Sequence, residues 1–262
     1  MIYVLRDTKE AAPLFEGWQE TMIWSCLQGV MGTVYAYSPK KPVSAMAVLG
    51  DFCFLAGAPR REFILSEHSY GKEGFMIMVP QDQAWGDMIG EILGKEAKKT
   101  VRYAIKKEPD VFDREKLRAF AEAVPAGYTL RMMDEELYRF CREVAWCKDW
   151  VSLYKNYTEY QKYGLGAVLL KDGEPVSGAS SYSGYIGGIE IEIDTRPDHR
   201  RRGLACICGA KLILECLERG LYPSWDAQNK WSVALAEKLG YHFDHEYTVY
   251  EVVRNAVGNR CI

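Results

Sequence analysis

No stretch of this sequence stays apolar for the roughly 18 residues that a membrane-spanning helix needs. Met1 to Pro13 carries charges early and lacks the basic-then-apolar order of a signal peptide, so a cytoplasmic location is expected. Positive charge is not in excess either. A formal net charge of -3 and a pI near 5.9 argue against a nucleic-acid coat or a polybasic membrane surface. The eight cysteines are scattered without pattern through a medium-sized chain, so no disulfide framework is expected. Cys206 and Cys208 form a CxC pair, but on a helix they would point to different faces, so they read as small buried apolar residues and no metal site is expected. No flexible linker interrupts the 262 residues, of which 48% are hydrophobic and 26% charged, the composition of a soluble globular protein with a sizeable core.

The chain repeats an order of elements. In the first half, strands are predicted over 32–37, 43–49 and 52–56, with Lys40-Lys41-Pro42 and Gly50-Asp51 as turns. In the second, strands are predicted over 167–170, from 175 to 182 and over 189–195, with Lys171-Asp172-Gly173 as an Asp-Gly hairpin turn. Pro-Val-Ser follows the first turn in both halves, at 42–44 and 175–177. After each third strand the pattern becomes helix, strand, helix, strand: 60–68, 75–79, 84–93 and 100–106, then 204–219, 224–227, 232–239 and 247–253. Further helices are predicted over 110–123 and 134–146, with a strand over 128–132 between them. Such alternation predicts a mixed α/β fold around a largely central sheet. The expected division is into residues 1–124 and 125–262, at the break Val124-Pro125-Ala126-Gly127.

The chemistry concentrates after the third strand of the second half. Ile189-Glu190-Ile191-Glu192-Ile193-Asp194-Thr195 alternates apolar and mostly acidic residues, giving one oily and one carboxylate face. A turn follows, then Arg200-Arg201-Arg202-Gly203-Leu204-Ala205 opens a helix whose Ala210, Ile213, Leu214, Leu217 and Leu221 share a face. A basic, glycine-containing loop at a helix start is an anion cradle, because its N–H groups lack intrahelical partners and the helix dipole favours negative charge. Gly203 permits close approach of the backbone, and the three arginines complement a pyrophosphate and a 3′-phosphate. A solvated basic turn that merely caps a helix is the competing reading.

Arg200-x-x-Gly203-x-Ala205 resembles the Q/R-x-x-G-x-G/A loop of the GNAT superfamily of N-acetyltransferases. Asn229 at a strand–helix junction and the helix end Leu239-Gly240-Tyr241 are similar to that family's downstream pattern, and the resemblance covers about residues 128 to 253. Within the superfamily, Glu190 to Tyr241 looks most like the branch that includes zwittermicin-resistance-type acetyltransferases, which suggests a bacterial protein. The resemblance implies a mostly antiparallel central sheet flanked by helices, with acetyl-CoA as co-substrate, a small primary amine as acceptor and direct attack without a metal. It implies that Arg200, Arg201, Arg202, Gly203, Leu204 and Ala205 hold the pyrophosphate. The amides of Ile193, Asp194 and Thr195 would serve the pantetheine arm and the oxyanion, and Asn229 with Ser232 would touch the cofactor.

Amine acetylation also needs a proton acceptor and a proton for the thiolate. Glu192 and Glu190 are the candidate bases; the bland alternative is that they face solvent or pair with arginines. The tyrosine that many such enzymes place seven residues after the asparagine is Ala236 here, so Tyr241 or Tyr247, or water, would supply the acid. Trp150, Tyr154 and Tyr157 are candidates for the acceptor pocket, although aromatics at this spacing are more often core. No such arginine-glycine loop follows the third strand of the first half, where Gly57-Ala58-Pro59-Arg60-Arg61 stands, so this half is expected to be a degenerate GNAT-like repeat that does not hold CoA. The alternatives are an idle acyl-CoA-binding or regulatory protein and, more distantly, a Fem-type aminoacyl-tRNA-dependent transferase. Neither nucleic acid nor membrane is an expected partner, and a homodimer is left open.

Overall fold

Thirteen strands and eight α-helices follow the punctuation of the sequence in a computed structural model that describes residues 1–70 and 74–253. The strands are β1 (Tyr3–Val4), β2 (Thr33–Ala36), β3 (Ser44–Leu49), β4 (Phe52–Gly57), β5 (Phe75–Pro80), β6 (Ala97–Ile105), β7 (Tyr128–Met132), β8 (Gly166–Lys171), β9 (Glu174–Tyr185), β10 (Gly188–Thr195), β11 (Tyr222–Ser224), β12 (Asp226–Ala227) and β13 (Phe243–Val253). The helices are α1 (Thr21–Gln28), α2 (Arg61–Leu65), α3 (Gln83–Leu93), α4 (Arg114–Glu122), α5 (Glu135–Glu143), α6 (Tyr157–Tyr163), α7 (Leu204–Glu218) and α8 (Lys230–Leu239).

The chain forms two units, Met1–Arg102 with the segment from Glu246, and Tyr103–His245. The division therefore falls inside β6 and β13 rather than at Val124. Its physical reason is visible in α4, whose Leu117 and Ala121 are buried in one core with Ile207 and Ile213 of α7. In the first unit β1 to β4 pair antiparallel in sequence, β5 adds parallel to β4, and β13 pairs antiparallel with β5. In the second unit β7 to β10 pair antiparallel in sequence and β11 adds parallel to β10, while β12 pairs antiparallel with β6. The ladder order of the two units is thus the same, as the repeated pattern of strand, turn and strand predicts. The mixed α/β class with a largely antiparallel sheet and flanking helices is the one expected.

Local chemistry sets the boundaries. Asp172 and Gly173 both take positive φ, the conformation an Asp-Gly hairpin turn requires. Asp113 accepts from the N–H groups of Glu115 and Lys116 and so starts α4 later than the apolar pattern suggests. Asp134 caps α5 in the same way. The helix predicted over 60–68 stops at Leu65, because Ser66 breaks off and caps a short 3₁₀ turn instead. Two helices, α1 and α6, lie in segments where no element was predicted.

In the second unit the sheet is covered on both faces. Ile189, Ile191 and Leu169 pack with Leu212 and Ile213 of α7 on one side. On the other, Tyr154 and Tyr160 hydrogen-bond to Ser181 and Ser180 of β9, and the fully buried Trp150 lies flat on Gly178. A methyl at Gly178 would stand 2.5 Å from the Trp150 ring. Gly178→Ala is therefore expected to destabilise the fold by about 1–3 kcal/mol through overpacking. Gly90→Ala, in α3 with nothing within 4 Å of the new methyl, should stabilise by about 0.5–1 kcal/mol through helix propensity. Urea denaturation of the two variants measures both signs.

Candidate active site

β10 and β11 begin as a parallel pair at Gly188↔Tyr222, Ile189↔Pro223 and Glu190↔Ser224. There the ladder stops. β11 ends at Ser224, and Asp226 and Ala227 pair with Ala104 and Tyr103 of β6 instead. From Ile191 to Thr195, β10 keeps only β9 as a partner strand among the described residues. The Arg196 amide donates to Val176 on the β9 side. Strand alternation then turns the main-chain groups of Asp194 and Glu192 toward β9, and those of Ile191, Ile193 and Thr195 toward the open edge. Of the three amides expected to serve the donor, Ile193 and Thr195 face the gap and Asp194 does not.

At the end of this open edge sits the basic loop. Arg201 (φ 61) and Gly203 (φ 78) both adopt left-handed backbone, and Gly203 caps α7 without any side-chain cap. The N–H groups of Arg201, Arg202, Gly203, Leu204 and Ala205 have no hydrogen-bond acceptor among the described residues. Consecutive amides at a left-handed turn and a helix start form an anion-binding nest. Arg201, Gly203, Leu204 and Ala205 line a cleft of about 340 Å³ whose walls also include Thr195, Arg200, Trp231 and Lys238 and no carboxylate side chain.

The three arginines divide their work. The Arg200 Nε donates to the Thr195 carbonyl (3.0 Å), and Arg202 donates to the Tyr128 hydroxyl (3.2 Å) and the Asp198 carbonyl (3.0 Å). Arg202 thus holds the loop in shape and does not line the cleft. Arg201 is exposed and has no side-chain partner among the described residues, so its guanidinium is the one offered to a ligand. Beneath the loop, Arg196 clamps the Asp198 carboxylate through Nε (2.8 Å) and Nη2 (3.1 Å) and approaches His199 Nε2 (3.1 Å). A guanidinium can only donate, so Nε2 accepts and Nδ1 carries the proton toward Tyr128 (3.0 Å). Tyr128, Arg196 and His199 were not singled out from the sequence. They frame the motif rather than belong to it, and no spacing rule marks them.

The carboxylate face of β10 lies on the side away from α7. Glu190 is buried, whereas Glu192 and Asp194 are partly exposed. Burial pushes the Asp194 carboxyl up to about 6, opposed by the Arg200 charge, reinforced by Asp149 and eased by a hydrogen bond with Glu192. Glu192 and Asp194 are therefore a joined pair at the open part of the strand, and Glu190 is the member enclosed in the fold.

Several expected site residues are placed elsewhere by packing. Trp150 (0% exposed) and Tyr154 (1%) are core residues and present no surface to an acceptor; Tyr157 alone of the three is partly exposed, against Tyr138 and Tyr160. Tyr241 is enclosed by Trp225 and Phe112, and its hydroxyl donates to the Pro223 carbonyl (2.6 Å). Burial raises that hydroxyl well above the usual tyrosine range. Asn229 is the cap of α8, accepting from the N–H groups of Trp231 and Ser232 at 3.0 Å each, and Ser232 accepts from Trp225 Nε1. Ala236 is fully buried. Cys206 and Cys208 are buried too, with the Cys208 thiol pushed up to about 12. Among the described residues no group of His, Cys, Asp and Glu side chains could hold a metal ion, and no helix is long and apolar enough to cross a membrane.

Known proteins are similar to this chain along nearly its whole length. A Bacillus subtilis (strain 168) protein described as the uncharacterized N-acetyltransferase YdfB is 27% identical over 242 residues, 88% of this chain and 89% of that one. The crystal structure of a GCN5-related N-acetyltransferase-like protein from Streptococcus suis 89/1591 matches with a TM-score of 0.88 at 44% identity, covering 94% of this chain and 98% of that one. A tandem GNAT protein from the clavulanic acid biosynthesis pathway, at 12% identity, a TM-score of 0.52, and 98% and 100% coverage, shares the fold. The model of the GNAT acetyltransferase family matches residues 12–250, and the chain belongs to that family of acetyltransferases.

Proposed function

We propose that this enzyme moves the acetyl group of acetyl-CoA to a primary amine of a small molecule by direct attack. The observation that carries the reading is the row of bare amides from Arg201 to Ala205 at the mouth of the gap beside β10. A diphosphate would satisfy those amides, the Arg201 side chain would neutralise it, and the pantetheine would run along the free edge of β10. The residues present fit the group. The amine nitrogen bonds to the thioester carbonyl carbon while the main-chain amide of Ile193 receives the charge on oxygen. The C–S bond then breaks, the amine proton passes to the Glu192–Asp194 pair through water, and the thiolate takes a proton from solvent. No acid is needed from Ala236 or from the enclosed Tyr241.

The acceptor class rests on the resemblance to the zwittermicin-resistance-type branch, which puts amino-bearing antibiotics among the first candidates. The acidic balance of the chain favours a small-molecule partner over nucleic acid. The relatives from Bacillus subtilis and Streptococcus suis support a bacterial setting. We read the N-terminal half as a degenerate repeat, on the strength of its matching ladder order.

Acetyl-CoA at a hundredfold excess over its Kd is expected to stabilise the protein by about 2.7 kcal/mol, read as a rise in Tm. Gly203→Glu should abolish the rise, because it sets a carboxylate over the nest. Gly203→Ala, which adds only the strain of a left-handed side chain, about 1–2 kcal/mol, should lower the starting Tm and keep the rise. Thiol release across a panel of primary amines then tests the reaction. Silence across the panel despite the Tm rise would sink the enzymatic reading and leave a binder.

The pair's pH behaviour gives a second test. With the Asp194 carboxyl raised to about 6, the base form disappears as pH falls through about 6, so kcat/KM should drop below that pH. The stability sign is opposite: burial of the charged form costs stability as pH rises through about 6 and costs nothing below the ordinary carboxyl value. Asp194→Asn should therefore raise Tm at pH 8, leave it unchanged near pH 4, and move or erase the acid limb of the rate. An unaltered acid limb would remove Asp194 from the base pair.

A further inference from the structure

The cleft has a second wall, which the motif does not cover. α8 presents Trp231, Leu235 and Lys238 to it, spaced four and three apart and hence on one helical face. Trp231 is 81% exposed, whereas the residues on the other side of the helix, Ala236 and Leu239, are buried. A single exposed tryptophan needs no explanation on its own. This one stands at the first turn of a helix whose start is fixed by the Asn229 cap, on the wall of the same cleft that Arg201, Gly203, Leu204 and Ala205 line. Lys238, two turns on, brings a cation to a cleft lined by Arg200 and Arg201 and by no acid. The Lys238 ammonium lies 5.3 Å from the Phe120 ring centroid, where it is held without an ion-pair partner among the described residues.

A flat aromatic face beside phosphate-binding amides, with a lysine beyond it, matches one chemistry: a purine nucleotide that carries a further phosphate on its ribose. We propose that Trp231 stacks on the adenine of CoA and that Lys238 pairs with its 3′-phosphate, so that α8 selects the nucleotide end of the donor while the loop before α7 holds the pyrophosphate. This rests on the acetyl-CoA reading above. A long acyl chain is a poorer occupant, because the apolar patch is one indole and one leucine between cations.

The test is calorimetric titration of the full chain with CoA and 3′-dephospho-CoA, plus competition by adenosine 3′,5′-bisphosphate, which lacks the pantetheine. Base–aromatic stacking of ordinary strength predicts that Trp231→Ala weakens CoA, dephospho-CoA and the bisphosphate alike by roughly tenfold or more. Trp231→Phe should restore most of the loss. Lys238→Gln should weaken CoA severalfold and leave dephospho-CoA unchanged. Because Trp231 is exposed, its removal should leave Tm without ligand unaltered, which separates stacking from damage to the fold. The proposal is overturned if Trp231→Ala binds CoA as the wild type does, or loses CoA while competition by the bisphosphate is undiminished. A wild type that does not bind CoA at all would instead overturn the acetyl-CoA reading, and that result is visible before any variant is made.

Discussion

The parting of β11 from β10 after Glu190↔Ser224 is the constraint from which the site follows. A strand inside a sheet spends its main-chain groups on both neighbours, and it can serve a ligand only where one neighbour is withdrawn. Here the withdrawal is enforced at Trp225, between the end of β11 and the start of β12. Its ring is 4% exposed and packs edge-on against Tyr241, and its Nε1 donates to Ser232. The Tyr241 hydroxyl in turn holds the Pro223 carbonyl. The chain on one side of Trp225 pairs with β10 and on the other with β6, and the buried indole prevents it from sliding back to close the gap. Residues that read from sequence as cofactor contacts or acids, Ser232 and Tyr241, are in this light the fastenings that keep the gap open.

The N-terminal unit shows what happens at the same corner when it is not kept open. β4 runs parallel to β5 as β10 runs to β11, but at its end Gly57 is sealed by the protein's own side chains. The Gly57 amide donates to Gln81 Oε1 (2.8 Å), its carbonyl accepts from Trp85 Nε1 (2.8 Å), and Gln81 Nε2 donates to the Leu14 carbonyl (2.7 Å). Trp85 is fully buried, and even a methyl at Gly57 would collide with the Val43 carbonyl. At the end of β4 both main-chain groups of Gly57 are therefore taken up by the protein's own side chains, whereas the corresponding end of β10 keeps no second partner strand among the described residues.

Legibility in the sequence followed periodicity and turn chemistry. The alternation of 189–195, the Asp-Gly turn and the helix behind Gly203 were all readable because each signal is local. The place of the loop was readable from glycine and arginine at a helix start, but the structural bonds of Arg200 to Thr195 and of Arg202 to Tyr128 and Asp198 were not, because no spacing rule marks them. The aromatic cluster was not, since Trp150 and Tyr154 are indistinguishable by spacing from residues that line a pocket, and only burial decides. The split of 224–227 between two ladders was equally hidden, for the four residues Ser-Trp-Asp-Ala carry no mark of which neighbour each half will choose. Trp231 illustrates the same limit from the opposite side: its neighbours at four and seven residues on share its helical face, but nothing in the spacing says that a cleft lies there.

What remains is why the loop tolerates a left-handed arginine. Arg201 at φ 61 carries a cost of about 1–2 kcal/mol that a glycine would avoid. The surroundings fix the turn on both sides: Arg196 clamps Asp198, His199 is wedged against Tyr128, and Arg202 reaches back to the Tyr128 hydroxyl and the Asp198 carbonyl. With Arg200 bound to Thr195 O and Gly203 at positive φ, the residue between has no freedom to relax without breaking one of these bonds. Strain of this kind persists where the turn it enforces is itself useful. The turn leaves the N–H groups from Arg201 to Ala205 without acceptors among the described residues and the Arg201 guanidinium exposed beside them, so the residue that bears the strain also carries the unpaired charge.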